Sequence, residues 1–419
     1  MKKTVLFLTL ISVSLIGMTI FRKDISPVAE DTELSPDEIK KHSVPVHESN
    51  NIFALKSYRI LAESENSKNI FISPYSISSA LAMTYAGSAS DTETEMSRAL
   101  EFDEKSEQFH RNFGELTGKI NSVSERGNIE LLVANSLWLS KGYAFLDNFL
   151  RINRDYYRTE IAKLNFSDSE TSRKTINDWV AEKTRDRITD LIPEGVIDAL
   201  TRLVLTNAVY FKAEWEKQFP THLTRKDKFN TMDGQTLKVE MMNIRDRFRY
   251  MENDLIQFVE MPYKEKDASM FVLLPKATNS LSKIEQTLDY EKLQSYEKEL
   301  EYNDLSIYFP KFKMSLEYEL KNLMREMGMI KAFTNDADFS KMNGNHDLYI
   351  SAIIHKTFVE VDENGTEAAA ATAVVMRLKS VMPDPEYVTF RADHPFFYYI
   401  KENSTGTILF AGRVTDPGE

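Results

Sequence analysis

The sequence contains no cysteine, and this absence removes several kinds of chemistry at once. Disulfide bonds, thiolate metal sites and a cysteine nucleophile are all excluded, so the chain could fold in any redox compartment. The sequence also lacks Gly-x-Ser-x-Gly, a phosphate-binding glycine loop and His-Glu-x-x-His. Its seven histidines are scattered without metal-ligand spacing. The sequence therefore predicts neither an enzyme nor a protein with a metal or other cofactor.

Positive charge is in deficit, with 52 Lys and Arg against 64 Asp and Glu and a net charge of −12. This balance argues against nucleic acid or an anionic membrane surface as the principal partner. Glycine and proline, at 14 and 13 residues, are too few for a low-complexity chain. The 42% of hydrophobic residues is instead typical of a globular protein with a sizeable core.

The order of the predicted elements indicates the fold class. Helical spacing of apolar residues dominates the N-terminal third, and an amphipathic helix is predicted over residues 171–191. Apolar strands are predicted over residues 130–140 and 203–212, and more strands follow from residue 224, interrupted by one helix over residues 316–327. Helices early and strands late predict an α+β domain with large, mainly antiparallel sheets.

The N-terminus has the composition of a targeting segment. Lys2 and Lys3 precede an uncharged run over residues 4–21, so residues 1–23 are predicted to be a signal peptide or an uncleaved N-terminal membrane anchor. Residues 24–48 are acidic and poor in apolar side chains, which predicts a flexible linker, and residues 49–419 are predicted to form a single domain. The protein is accordingly expected to be exported and extracellular or tethered at the cell surface.

The segment over residues 363–380 suits two incompatible conformations. Its alanine run, preceded by the potential cap Thr366, favours a helix. Read with period two, the same residues place small or apolar side chains on one face from Thr366 to Met376, and the charges of Glu367 and Arg377 on the other. Such a charge-free face could enter the middle of a sheet, with Gly365 as a hinge. Local sequence leaves both conformations open.

Several segments in the same order resemble the serpin family of protease inhibitors over about residues 50–417. The similar segments are NIFISPYSISSALAMTYAGS at residues 69–88, INDWVAEKT at 176–184, LTNAVYFKAEW at 205–215, VDENGTEAAAA at 361–371, and ADHPFFYYI at 392–400 followed by FAGRV. The resemblance implies helices packed on large sheets, a metastable fold and an exposed reactive loop at about residues 363–387. It also implies a monomer whose partner is a serine protease, held in a covalent complex.

In this family a protease cleaves the loop as bait, and the cleaved loop then inserts into the central sheet and traps the acyl-enzyme. Family spacing puts the bait residue sixteen positions after Glu363, so the reactive bond lies between Lys379 and Ser380, with Arg377 or Met376 as alternatives. A cationic bait residue implies a trypsin-like target, with a subtilisin-like protease as the other possibility. The hinge and inserting strand comprise Glu363, Gly365, Thr366, Glu367, Ala368, Ala369, Ala370, Ala371 and Thr372.

The resemblance also assigns two structural clusters. Ser73, Ser76, Asn207 and His355 match the polar cluster that holds the central sheet shut. Trp215, Lys311 and Glu363 match the point where the inserting strand goes into the sheet. No heparin site is expected, because Arg111, Lys119 and Arg126 are sparse among acidic neighbours. The alternative function is that of a non-inhibitory serpin, acting as a binding, storage or chaperone protein.

Overall fold

The structure is a computed structural model that describes residues 44–102, 107–125, 129–366 and 386–418. Within these ranges the chain forms ten α-helices and three short 3₁₀ turns. The helices are α1 Val46–Ser64, α2 Pro74–Tyr85, α3 Ser90–Ala99, α4 Glu107–Glu125, α5 Asp147–Tyr157, α6 Ser169–Lys183, α7 Leu281–Thr287, α8 Tyr290–Lys298, α9 Lys321–Glu326 and α10 Ser340–Asn343. None of the helices described here is long and apolar enough to cross a membrane.

Fifteen strands are described in the same ranges. They are β1 Ile70–Ile72, β2 Ile129–Ser140, β3 Glu160–Leu164, β4 Leu203–Glu214, β5 Arg225–Asn230, β6 Thr236–Glu252, β7 Ile256–Pro262, β8 Ala268–Pro275, β9 Glu301–Pro310, β10 Phe312–Glu319, β11 Ile354–Val361, β12 Gly365–Thr366, β13 Val388–Arg391, β14 Phe396–Glu402 and β15 Thr407–Val414. A six-stranded sheet runs in the order β10-β11-β12-β4-β2-β3. A nine-stranded sheet runs β1-β15-β14-β8-β7-β6-β9-β13, with β5 paired to β6.

Local sequence explains how the helix beneath the six-stranded sheet begins. The side chain of Ser73 caps α2 by accepting a hydrogen bond from the amide of Ser76 at 3.2 Å, and Pro74 occupies the first helical position, where no amide is needed. Eleven of the twelve residues of α2 are buried, so this helix lies within the core and not on the surface. Its cap therefore fixes Ser73 beneath the sheet.

Most strand pairs are antiparallel, and only β2 with β3 and β9 with β13 run parallel within the described residues. This arrangement confirms the predicted α+β class with large, mainly antiparallel sheets. Aromatic side chains of the two sheets meet in the core, as Phe211 of β4 does with Phe410 of β15, whose ring centroids are 5.8 Å apart. Nearly all the hydrophobic residues of β8, β14 and β15 are fully buried, as the dense apolar runs in their sequences predict.

Several predicted boundaries differ from the structure. The helix predicted over residues 316–327 is wrong in its first half, because strand β10 continues to Glu319 and α9 begins only at Lys321. The amphipathic helix predicted to residue 191 ends at Lys183. Helix α1 begins at Val46, before the predicted domain start at residue 49. Residues 1–43, which include the predicted targeting segment and most of the predicted linker, lie outside the described residues.

Candidate functional site

In the six-stranded sheet, the short strand β12 separates β4 from β11. Both strands pair antiparallel with β12, so they run parallel to each other on either side of it. Thr366 of β12 faces Val361 on one side and Ala213 on the other, while Gly365 faces Glu214. In the part of the chain that the structure describes, no ladder joins β4 directly to β11. The first residues of the predicted inserting strand therefore already lie within the sheet.

A tight turn returns the chain from β11 into β12. The Asp362 carboxylate accepts hydrogen bonds from the amides of Asn364 at 2.8 Å and Gly365 at 3.2 Å, as Asp commonly does in turns. The Asp362 amide donates to the Gly365 carbonyl at 3.0 Å. The turn thus closes on itself, and it directs the following residues back between the two strands.

Gly365 is required by close packing of the backbone. A Cβ atom at this position would lie 2.0 Å from the carbonyl oxygen of Ala213 and 2.8 Å from the Cα of Glu214. No side chain fits at such distances, so only glycine lets β12 approach β4 closely enough to pair. The sequence predicted a hinge here, and the structure gives glycine a packing role at the same position.

The inward side chain of Thr366 has a specific partner. It is buried, and its Oγ1 lies 2.6 Å from the hydroxyl of Tyr263. Tyr263 is fully buried, and burial raises its pKa, which keeps the phenol protonated as a hydrogen-bond donor or acceptor. Its ring stacks on Trp215 with centroids 4.6 Å apart and planes 6° from parallel. A small hydroxyl side chain can therefore go into the sheet here without leaving an unpaired polar group.

Two of the residues assigned to the point of insertion are in contact. Glu363 accepts hydrogen bonds from Lys311 Nζ at 2.8 Å and from Thr224 Oγ1 at 2.7 Å. Burial favours the neutral acid, but these hydrogen bonds and the positive charge of Lys311 prevail, so the pKa of Glu363 is lowered. The Trp215 indole donates to the Asp362 carbonyl at 3.0 Å. Together these contacts hold the turn at the end of β11, and we call Trp215, Thr224, Lys311 and Glu363 the hinge clamp.

The predicted polar cluster lies at the other end of β11. The amide of Ser73 donates to His355 Nε2 at 3.0 Å, and the Ser73 hydroxyl donates to the Leu409 carbonyl at 2.8 Å. His355 is fully buried, and burial lowers its pKa to about 3. The imidazole is therefore neutral at physiological pH, with the proton on Nδ1 because Nε2 accepts. Ser76 belongs to the same cluster through the helix cap.

The remaining predicted residues are placed only in part. Asn207 pairs with Asn135 through the backbone of β4, but the predicted role of its side chain lies outside the described part of the structure. The predicted reactive bond and most of the inserting strand also lie outside the described residues. These are Glu367, Ala368, Ala369, Ala370, Ala371, Thr372, Met376, Arg377, Lys379 and Ser380.

Sequence reasoning missed two residues that complete the site, Tyr263 and Thr224. Each contacts the hinge across a long stretch of chain, Tyr263 from 103 positions before Thr366 and Thr224 from 139 before Glu363. Neither residue lies in a motif that would single it out. Within the described ranges, no cluster of three or more His, Asp or Glu side chains could hold a metal ion. The site therefore provides a place for an additional strand within the sheet, with a buried hydroxyl that can hydrogen-bond the first inserted side chain.

Known proteins are similar to this chain in sequence and in fold. The family model described as "Serpin (serine protease inhibitor)" matches residues 48–417. Leukocyte elastase inhibitor of Sus scrofa is 40% identical over 377 residues, covering 88% of this chain and 98% of that protein. Serpin B8 of Homo sapiens is 40% identical over 376 residues, covering 88% and 99%. The solved structure "Cleaved Serpin 42Da" superposes with a TM-score of 0.78 at 28% identity, covering 89% of this chain and 99% of that chain.

These relatives bear on two of the predictions. They are protease inhibitors and not enzymes, which confirms the prediction that this chain is not an enzyme. The prediction of an exported, extracellular or cell-surface protein is wrong, because leukocyte elastase inhibitor and serpin B8 are intracellular serpins that lack signal peptides. That prediction depended only on the uncharged run over residues 4–21, which lies before the part of the chain that matches the family.

Proposed function

The chain belongs to the serpin family, and from this we propose that it is an irreversible inhibitor that traps serine proteases by inserting its cleaved reactive loop. One observation carries the proposal: Thr366 already pairs with both β11 and β4, in register with Val361 and Ala213. A loop cleaved after this point could extend the same strand down the sheet. One monomer would trap one protease, without a requirement for heparin.

The chemistry belongs to the protease. Its serine Oγ attacks the carbonyl carbon of Lys379, the bond to Ser380 breaks, and the protease histidine supplies the proton that leaves with the new amine. An ester then joins Lys379 to the protease. Water would normally hydrolyse this ester, so trapping succeeds only if insertion is faster. The inhibitor needs no catalytic group of its own, and the neutral, buried His355 is compatible with a structural role.

Insertion supplies the driving force. A newly paired strand of roughly a dozen residues, at about 0.5–1.5 kcal/mol net for each hydrogen bond, yields on the order of 10 kcal/mol before side-chain burial. This is comparable to the whole stability of an ordinary domain. The charge-free alternation from Thr366 through Ala368, Ala370 and Thr372 means that no unpaired charge has to be buried on the way. The sequence of the loop therefore favours complete insertion.

The bait residue determines the target. Lys379 is a long cation that suits the acidic specificity pocket of a trypsin-like protease. The relative from Sus scrofa is named for the inhibition of a leukocyte elastase, which supports a serine protease as the target class. Arg377 and Met376 remain alternative bait residues within the same loop.

The test is to incubate the protein with trypsin and to separate the products in SDS. We expect an SDS-resistant adduct together with a released fragment that begins at Ser380. The variant Lys379→Gln should lose the adduct with trypsin, whereas the matched variant Arg377→Gln, which removes a neighbouring cation, should keep it. A cleaved loop with free, active protease would instead indicate a non-inhibitory serpin. A fragment that begins at residue 377 or 378 would move the bait to Met376 or Arg377.

A further inference from the structure

A second feature of the fold is a cleft of about 670 Å³ beside the hinge clamp, formed by β6, β7, β8, β14 and the end of α8. Its volume lies within the range of small-molecule sites, which is roughly 300–1,000 Å³. One wall contains Glu216 and Lys217, which directly follow Trp215 in the chain. The Glu216 amide donates to the Pro262 carbonyl on the neighbouring wall at 3.0 Å. The walls of the cleft are therefore held by backbone hydrogen bonds.

The cleft is positively charged on an acidic protein. Three carboxylates line it, those of Glu216, Glu260 and Glu297. Twice as many cations line it, namely Lys217, Arg247, Arg249, Lys266, Lys298 and Lys401. The whole chain has a net charge of −12, so this excess of positive charge is local. A cleft lined mainly by one sign of charge concentrates ions of the opposite sign.

Four of the six cations have carboxylate partners. Lys217 pairs with Asp246 at 2.7 Å, and Lys266 pairs with Glu216 at 3.2 Å. The other two pairs are Arg249 with Glu260 at 2.7 Å, and Lys401 with Glu297. These pairs account for every carboxylate that lines the cleft.

Arg247 and Lys298 are the remaining cations. Neither forms an ion pair with any carboxylate in the described part of the chain, and both are exposed. The Arg247 guanidinium lies over the ring of Tyr302, 5.8 Å from its centroid, and this ring is 57% exposed. Phe248 and Phe271 lie beneath the cleft and are buried, with the ammonium groups of Lys217 and Lys401 over their rings. The cleft thus offers two unpaired positive charges together with aromatic surface.

We propose that this cleft binds a small organic anion, with its acidic group on Arg247 and Lys298 and its apolar or aromatic body against Tyr302. A carboxylate, sulfonate or phosphate would complete the charge pairing that the protein leaves open. An aromatic body would pack against the exposed part of Tyr302 that Arg247 does not cover. None of the residues that line this cleft belongs to the segment 363–387, and the proposal does not depend on protease inhibition.

The test uses 8-anilinonaphthalene-1-sulfonate, an aromatic sulfonate whose fluorescence reports binding, titrated into the intact protein. We expect saturable binding that weakens as salt is added, because the charges are solvent-accessible. Arg247→Gln combined with Lys298→Gln should raise the Kd at least about tenfold, the effect of losing one charge-assisted hydrogen bond. Lys163→Gln, which removes an exposed cation on the distant strand β3, should leave the Kd unchanged. Since all three side chains are exposed, unchanged thermal midpoints will show that the variants are folded.

Three results would overturn the proposal. The first is an absence of saturable binding at probe concentrations up to about 1 mM, which corresponds to only about 4 kcal/mol of binding free energy. The second is an equal Kd for the wild-type protein and the double variant. The third is equally tight binding of N-phenyl-1-naphthylamine, which has the same aromatic body without the sulfonate, because the cations would then contribute nothing.

Discussion

Replacing Thr366 by arginine should convert the inhibitor into a substrate. The native side chain is only 2% exposed, lies between Val361 and Ala213, and bonds the Tyr263 hydroxyl at 2.6 Å. An arginine that goes into this position must lose its hydration, which costs several kcal/mol, about the penalty for an unpaired buried charge. The substitution also leaves the Tyr263 hydroxyl without its partner, at a further cost of about 1–3 kcal/mol.

The consequence is kinetic, because insertion competes with hydrolysis of the acyl-enzyme. We expect the arginine to stay outside the sheet in the intact variant, so that it has to enter the sheet during insertion. If about 3 kcal/mol of the burial cost is then present in the transition state, insertion slows by roughly 150-fold. Hydrolysis then releases the protease before the loop is buried. The assay is the stoichiometry of inhibition, obtained by titrating trypsin with each variant and measuring residual activity. The wild-type protein should inhibit at a near-equimolar ratio, whereas Thr366→Arg should be consumed in large excess.

Two further variants separate the charge from the hydroxyl. Thr366→Ser keeps the hydroxyl and should retain near-equimolar inhibition. Thr366→Val keeps the shape but leaves Tyr263 unpaired, so its stoichiometry should lie between those of the wild type and the arginine variant. Near-equimolar inhibition by Thr366→Arg would refute the reasoning, since it would mean that this position does not have to enter the sheet.

Three other changes test the surrounding contacts. Glu363→Gln should lower the free energy of unfolding, measured in urea, by about 1.5–3 kcal/mol, because it removes the charge that Lys311 pairs with. The control Glu360→Gln, in the more exposed pair of Glu360 on β11 with Lys313 on β10, should cost less than about 1 kcal/mol. Burial lowers the pKa of His355 to about 3 in the folded protein, whereas in the unfolded chain this histidine titrates near its ordinary pKa of about 6.5. Below pH 6.5 the unfolded chain therefore binds one more proton than the folded protein. The free energy of unfolding should fall by roughly 2 kcal/mol between pH 7 and pH 5. His355→Gln should make the free energy of unfolding less dependent on pH in this range. A variant whose pH dependence equals that of the wild-type protein would contradict this role of His355. Gly365→Ala should raise the stoichiometry of inhibition, because its Cβ cannot fit beside β4; unaltered inhibition would show that the close approach is not needed.

The candidate site was partly predictable from the sequence because its inserting strand has a period of two. The alternation that starts at Thr366 predicted an inward face without charge, and the structure places Thr366 between two strands. Glu363, Lys311 and Trp215 followed only from the family resemblance, since no local pattern connects them. Tyr263 could not be found in this way, because its contact with Thr366 depends on how distant parts of the chain pack.

The incorrect helix prediction has a different cause. Apolar residues at positions 316, 320, 323 and 327 have helical spacing, whereas those at 312, 314, 316 and 318 alternate as in a strand. The two patterns share Leu316, and sequence alone does not say where one ends. The structure resolves the overlap, because β10 pairs with β11 from Phe312 to Glu319. Tertiary pairing therefore sets the boundary that local periodicity leaves open.

Amide hydrogen exchange across the reactive loop most directly tests whether the cleaved loop becomes a strand of the central sheet. Peptides covering residues 366–376 should be measured in the intact protein and in the isolated adduct with trypsin. The account predicts that their amides become as strongly protected in the adduct as those of β4 and β11, because each would be hydrogen-bonded within the sheet. An adduct in which these amides exchange as fast as in an unstructured peptide would contradict insertion as the trapping mechanism.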